Sequence, residues 1–555
     1  MFRKHSWILL AITPFFSNLA ANAAERPKLV VLLVIDQFRG DYLSRWQNQF
    51  RKDGFRRLLD DGAWFNRCHY PYAITMTAAG HASISTGCAP WRHGIVGNDW
   101  YQPESNNNVY ATSTDRYFQV PAPGGKEVAS SSPERLLVPT VWDDAREHFP
   151  AGSLRVFSVS IKDRSAVLLG GKKPEGCYWF ETDTGEFVTS TYYRSDLPAW
   201  VRSFNASHVA DQWFNKDWTR FRDDLDYEAL SGPDNHPGEG TGKAQGTTFP
   251  HPMNGGDTTP GPKYYDALTY SPFGNDLLIR FVLSAIEGEK IGQTNATDVL
   301  CISFSSNDLV GHTWGPDSQE VLDTTLRSDA WMSELLGKLD ETVGVGNYLI
   351  ALSADHGVCP LPEVAREQGH PSGRPNPAAL IQGANQHLAK LHPTPKPVNW
   401  IASAANSSLA IQPAVVKELG LDHATIVEEL AQWLREQDWV QAAVTYTQVF
   451  APEAEKDPFL LSVRKSFHPE RRGDIAVVPK PYYFVIPYLT GTTHGTSHEY
   501  DTHVPLLVFG TNVKPGIRDD AVTPQAAAAI VGASLGVPHS PRMEAEIPKD
   551  LFQTR

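Results

Sequence analysis

Four mainly apolar runs constrain this chain more than anything else in it. Lys28-Leu-Val-Val-Leu-Leu-Val-Ile-Asp36 is the first, and Leu154–Ile161, Val299–Ser305 and Tyr348–Ala354 repeat its grammar. A strand with one wet face alternates apolar and polar residues; a strand that is apolar throughout has both faces covered. Helical stretches lie around these runs, at Asn275–Glu287, Ser318–Val343 and Ile426–Glu436. Strands alternating with helices imply an α/β fold with a mainly parallel central sheet flanked by helices. In such a sheet, polar groups at the carboxyl ends of the strands converge on one rim.

With 555 residues, the chain is long enough for a large core and additions to it. Residues 1–23 read as a secretory signal: Arg3 and Lys4 lead, Trp7–Phe16 is apolar, and Ala21-Asn22-Ala23 is a small-x-small cleavage site. The organisation expected is an α/β core over 24–375, an inserted cap over 376–470 and a return to the core over 471–555. Residues 231–262, rich in Gly, Pro and Thr, read as a long surface loop. The expected location is periplasmic or extracellular, with no stable membrane insertion after cleavage, and the expected state is a monomer. Net charge is −14, and loss of the signal, which holds two basic residues and no acids, makes it −16. That balance excludes a nucleic-acid partner, because a phosphate backbone demands a basic surface. Five scattered cysteines form no zinc-finger or dense disulfide framework, though one or two disulfides are allowed after export.

The chemistry sits where the strands end. Asp36 closes the first run; Asp308 and His312 follow the third; Asp355-His356-Gly357 follows the fourth; His494 lies late in Gly491-Thr-Thr-His494-Gly495. His498 and His503 lie nearby, but only His494 occupies the glycine-flanked turn. Each member alone has a plain alternative, such as a helix cap or a loop acid. Their joint occurrence after buried strands points to metal binding. Mixed carboxylate and imidazole donors suit zinc, and six of them suit two catalytic ions with open positions.

A nucleophile is offered by Thr77, in a loop entering a helix at Thr77-Ala-Ala-Gly80-His81. A helix N-terminus favours an anion, and a metal ion beside a hydroxyl eases its deprotonation. Thr77 taken alone reads first as a helix cap. His81 and His93 have no matching acid spacing and read as structural.

Asp36, Thr77-x-x-Gly80-His81, Thr86-Gly87, His93-Gly-Ile-Val-Gly-Asn98, Asp308/His312, Asp355-His356-Gly357 and His494-Gly495 together resemble the alkaline phosphatase superfamily, in order and over nearly the whole mature chain. The resemblance implies that Asp308, His312 and His494 hold one zinc, and that Asp36, Asp355 and His356 hold the other, with Thr77 bridging towards it. Cys88-Ala-Pro90-Trp-Arg92 is similar to the sulfatase cysteine motif but is displaced, since the place nine residues before Thr86 belongs to Thr77. Lys162 and Arg164 follow the second run. Two cations there suit the dianionic phosphoryl group of a monoester better than a diester. With Thr77 and Asn98 they resemble the phosphate-irrepressible (PafA-type) alkaline phosphatases. In that group threonine is the nucleophile, while the asparagine, lysine and arginine hold the phosphoryl oxygens.

The resulting expectation is an exported alkaline phosphatase that hydrolyses small phosphate monoesters with two zinc ions through a covalent phosphothreonine. The alternatives are a phosphodiesterase or nucleotide pyrophosphatase of the same superfamily, and an exported metal- or phosphate-binding protein without turnover.

Overall fold

The structure, a computed structural model, describes residues 26–553; the expected signal over 1–23 lies outside the described residues. Its centre is built from the four apolar runs. Strand β1 (Leu29–Ile35) is buried at every position, and so, apart from an occasional residue, are β2 (Leu154–Ser160), β3 (Thr297–Phe304) and β4 (Tyr348–Ser353). All pair in parallel: β1 lies between β3 and β4, and β2 lies beyond β3. Gly176–Glu181 adds a fifth parallel strand beside β2. Ile35 pairs with Phe304, Val34 with Ser353, and Ser303 with Ser160. The four strands therefore finish on one edge, and whatever follows them meets at one rim.

Parallel pairing dominates this centre and recurs at one outer edge, where Gly516–Val522 pairs with Ala63–Cys68. The sheet has eleven strands among the described residues, and its flanks are largely antiparallel. The reason is local: Glu181 and Glu186 face each other across a short turn, and a turn reverses a strand where a crossover helix would repeat it.

Four helices bear on the rim. They are α1 (Thr77–Thr86), α2 (Asp163–Gly170), α3 (Ser306–Trp314) and α4 (Gln319–Thr342). The α1 helix is buried all round, which suits its run of Ala, Gly, Ser and Thr: small side chains let it lie against the sheet. At Gly80 a side chain would run into the backbone carbonyl of Asp355.

A second, antiparallel sheet contains β5 (Ile401–Ala405), β6 (Ser408–Ile411), β7 (Val440–Thr445) and β8 (Ile475–Pro479), in the order β5-β6-β8-β7. It has its own apolar cluster around Trp400, Leu409, Leu430 and Leu434. Because β8 pairs with both β6 and β7, this layer runs past residue 470, the limit expected for the cap. Three side chains fasten it to the core: Asn406 Nδ2 donates to Val96 O (2.6 Å), Ser403 Oγ to Asn108 Oδ1 (2.7 Å), and Arg471 Nη1 to Gly94 O (2.5 Å).

The segment 231–262 differs from a plain surface loop. It has no strand and no helix beyond its end residues, yet Gln245, His251 and Met253 are buried. The His251 ring packs on Trp218 and Trp314, at 4.9 and 5.0 Å between centroids. All five cysteines are buried free thiols, so neither disulfide allowed by the count is present. Among the described residues no helix is long and apolar enough to cross a membrane.

Candidate active site

Parallel strands bring together residues that are far apart in sequence. Asp36 leaves β1, Lys162 leads into α2, Asp308 and His312 stand on α3, and Asp355-His356 follows β4. His494 arrives on a turn that the Gly491 N–H ties to Gly238 O and the Thr492 N–H ties to His312 O. The acids and imidazoles form two groups whose ligand atoms lie within 4.8 Å of one another: Asp308, His312 and His494, and Asp36, Asp308 and His356. Asp355 adjoins the second, its Oδ2 3.4 Å from His356 Nε2.

The tautomers of the three histidines are fixed by backbone carbonyls, which only accept. His312 Nδ1 faces Thr492 O (2.7 Å), His356 Nδ1 faces Gly357 O (2.9 Å) and His494 Nδ1 faces Thr75 O (2.7 Å). Each Nδ1 therefore carries a proton, and each Nε2 faces the acids as the ring atom left to ligate a metal. The rings of His356 and His494 stack at 3.4 Å, and burial pushes both toward the neutral form, His494 the more strongly. No hydrogen bond reaches the buried Asp36 Oδ1 or Asp355 Oδ2. Two orphaned carboxylate oxygens beside three poised imidazoles fit a pair of divalent ions, since buried charges are otherwise paired.

Lys162 supplies part of that pairing. Its Nζ lies 2.7 Å from Asp36 Oδ2 and 2.5 Å from Asp308 Oδ2. Burial alone would lower the lysine, but the two carboxylates reverse the direction and hold it charged. Burial, together with the like charge of Asp355, raises Asp36. Asp308 is also pushed up by burial, but His312 and Lys162 outweigh that and carry it below the usual carboxylate range.

Thr77 is the first residue of α1 rather than its cap. Met76 precedes it in an extended conformation without a side-chain cap bond. Thr77 Oγ1 instead lies 3.3 Å from His356 Nε2. Asn98 Oδ1 accepts the Ala78 N–H (2.9 Å), which fixes the amide with its NH2 donors free. Arg164 donates to Tyr110 Oη (3.3 Å), and Tyr110 in turn donates to Asp163 Oδ1 (2.7 Å). Lys162 and Arg164 both line a groove of about 450 Å³. All ten residues singled out in the sequence thus occupy one region of the rim.

Several supporting groups escaped sequence reasoning. Gln37, in a left-handed conformation directly after Asp36, donates its N–H to Asp355 Oδ1 (3.0 Å) and its side-chain amide to Asp308 Oδ1 (2.6 Å). His81 holds Thr77 O (2.8 Å), lies 3.2 Å from Asp355 Oδ2 and accepts from Ser303 Oγ (2.8 Å). It is structural, but its structure is that of the site. Its placement at i+4 from Thr77, one helical turn on, was the available signal. His93 is remote: it pairs with Ser83 Oγ (3.0 Å), and burial pushes it down to about 3. His498 and His503 bond to Pro479 O and Asn66 O, away from the cluster. Cys88 faces backbone carbonyls of Thr86 and Arg542, at the far end of α1 from Thr77.

The chain is also similar to known proteins over most of its length. The type I phosphodiesterase/nucleotide pyrophosphatase family model matches residues 30–501. The alkaline phosphatase PhoV of Synechococcus elongatus is 36% identical over 496 residues, 88% of this chain and 86% of that protein. The alkaline phosphatase PafA of Elizabethkingia meningoseptica is 34% identical over 526 residues, 93% of each. A crystal structure of wild-type alkaline phosphatase PafA superimposes with a TM-score of 0.87 at 33% identity, covering 96% of this chain and all of that one. The chain belongs to the type I phosphodiesterase/nucleotide pyrophosphatase family, within the alkaline phosphatase superfamily.

Proposed function

We propose that this protein is an exported, zinc-dependent phosphomonoesterase that transfers the phosphoryl group of a small ester to Thr77 and then to water. The observation that carries the reading is the convergence of three imidazole Nε2 atoms with Asp36, Asp308 and Asp355 beside Thr77 Oγ1. Asp308, His312 and His494 would hold one zinc, and Asp36, Asp355 and His356 the other. When bound, the two ions supply positive charge for the phosphoryl oxygens and acidify neighbouring hydroxyls.

The residues divide the remaining work. Thr77 Oγ attacks phosphorus while the P–O bond to the leaving group breaks, giving phosphothreonine and an alcohol that takes up a proton. Water then attacks the same phosphorus, and phosphate departs as Thr77 regains its proton. The N-terminus of α1 favours the negative phosphoryl group. Asn98 donates through its free NH2, and Arg164, aimed by Tyr110 and Asp163, offers a two-pronged donor. Lys162 turns to the phosphoryl oxygens when cations neutralise Asp36 and Asp308. Export rests on the pattern of residues 1–23.

The test is hydrolysis of an aryl monoester and an aryl diester by zinc-loaded and chelated protein, with Thr77→Ala alongside. The monoester should be preferred, chelation should abolish turnover, and Thr77→Ala should cost at least about 10³-fold in kcat. Acid quenching should trap phosphate on Thr77, visible by mass spectrometry. A higher kcat/KM on the diester would favour the activity that the family description names, and no turnover by the zinc-loaded protein would overturn an enzymatic role.

A further inference from the structure

A second cavity lies against the cluster at His494 and shares no lining residue with the cationic groove. It has a volume of about 280 Å³. From the core it takes Met76, the neighbour of Thr77, and the turn Thr493–Thr496 that carries His494; from the second layer it takes Leu380, Ala404, Leu409 and Ile486. No lysine, arginine, aspartate or glutamate lines it among the described residues. The contrast with the groove, which holds Lys162, Asp163, Arg164 and Glu181, is one of charge.

We infer that this cavity is the binding site for the ester substituent, and that it selects monoesters of uncharged aryl or compact apolar alcohols over those of charged ones. The inference rests on the phosphomonoesterase reading and adds the substrate class. A phosphoryl group at Thr77 meets its charge partners, Lys162 and Arg164, on the groove side. Its one uncharged substituent then faces the wall formed by Met76 and His494. Size agrees, since a cavity of roughly 150 Å³ already takes a benzene ring. The roof is also fixed. Asn406 and Ser407, both left-handed, form the two-residue turn between β5 and β6, and Asn406 is tied to Val96 O, two residues before Asn98. Such a turn matches the twist of a hairpin and holds its shape. The second layer thereby shapes the substituent site while bracing the loop that presents Asn98.

The test is calorimetric titration of the zinc-loaded full-length protein with phenylphosphonate and methylphosphonate, which share a phosphoryl-like head and are not hydrolysed. Phenylphosphonate should bind at least roughly tenfold more tightly, the discrimination an apolar pocket gives. Ala404→Phe, which fills the cavity from a partly exposed strand position, should reduce the ratio to within about twofold. Ile486→Asp, which places a carboxylate there, should do the same, and thermal melts report whether each variant is folded. Equal affinities in the wild type, or an unchanged ratio in both variants, would overturn the inference. If aryl phosphates are hydrolysed but the two affinities are equal, the cavity assignment alone falls. If neither phosphonate binds and no monoester is hydrolysed, the phosphomonoesterase reading falls with it.

Discussion

Lys162→Ala should destabilise the chelated protein strongly and the zinc-loaded protein hardly at all. The ammonium lies 2.7 Å from Asp36 and 2.5 Å from Asp308, with side-chain exposures of 8%, 0% and 3% for the three residues. Removing one partner of a buried ion pair costs about 3–5 kcal/mol, most of it from stranding the opposite charge. An unfolding entropy near 2.1 cal/mol/K per residue gives, over residues 26–553, about 1.1 kcal/mol/K. The melting temperature under chelation should therefore drop by about 3–5 °C. Two divalent ions bound as proposed would neutralise the same carboxylates, so with zinc the drop should shrink to about 1 °C or less. Differential scanning calorimetry at one scan rate, with and without chelator, reads this directly, and the quantity of interest is the metal-induced rise. Arg164→Ala is the control, because its guanidinium hydrogen-bonds Tyr110 and neither carboxylate. An equal loss with and without zinc, or no loss under chelation, would refute the claim that Lys162 and the metals answer the same buried charge.

Gly80→Ala would normally favour a helix, but a Cβ here meets the Asp355 carbonyl; we expect a loss of about 1–3 kcal/mol in urea unfolding and reduced zinc content. His81→Ala should weaken zinc binding about 10- to 100-fold in competition with a chelating dye, since it steadies Asp355, whereas His93→Ala should leave that affinity unchanged. Asp501, which accepts from Thr496 N and Oγ1, is pushed up to about 7 chiefly by burial. With its folded pKa above the ordinary 3.8, its contribution is complete below about pH 4 and is lost as pH rises through 7. Asp501→Asn keeps an acceptor for Thr496 and should remove this loss, on the order of 4 kcal/mol between pH 4 and 7, as measured by urea unfolding at each pH.

What the sequence disclosed and what it hid divide by range. Asp36, Asp308 and Asp355 were legible because a buried strand announces itself through a continuous apolar run, and its end marks the rim. The pairing Ile35 with Phe304 and Val34 with Ser353 is then what any parallel sheet of these runs would do. Thr77 stayed ambiguous between cap and nucleophile, since both uses put a threonine at a helix start. Only the fold shows that it is not the cap and that its hydroxyl lies beside His356, 279 residues away. The antiparallel flanks and the packed middle of 231–262 were missed for a related reason: short turns and aromatic stacking leave no periodic trace. The carbonyls of Thr75, Gly357 and Thr492, which fix the three imidazoles, are backbone atoms that no residue type encodes. The residue types at this rim specify which donors are available, but the orientation of those donors is a property of the folded backbone. That is why the candidate donors could be read from the chain, while Gln37, His81 and the Tyr110–Asp163 support of Arg164 required the fold.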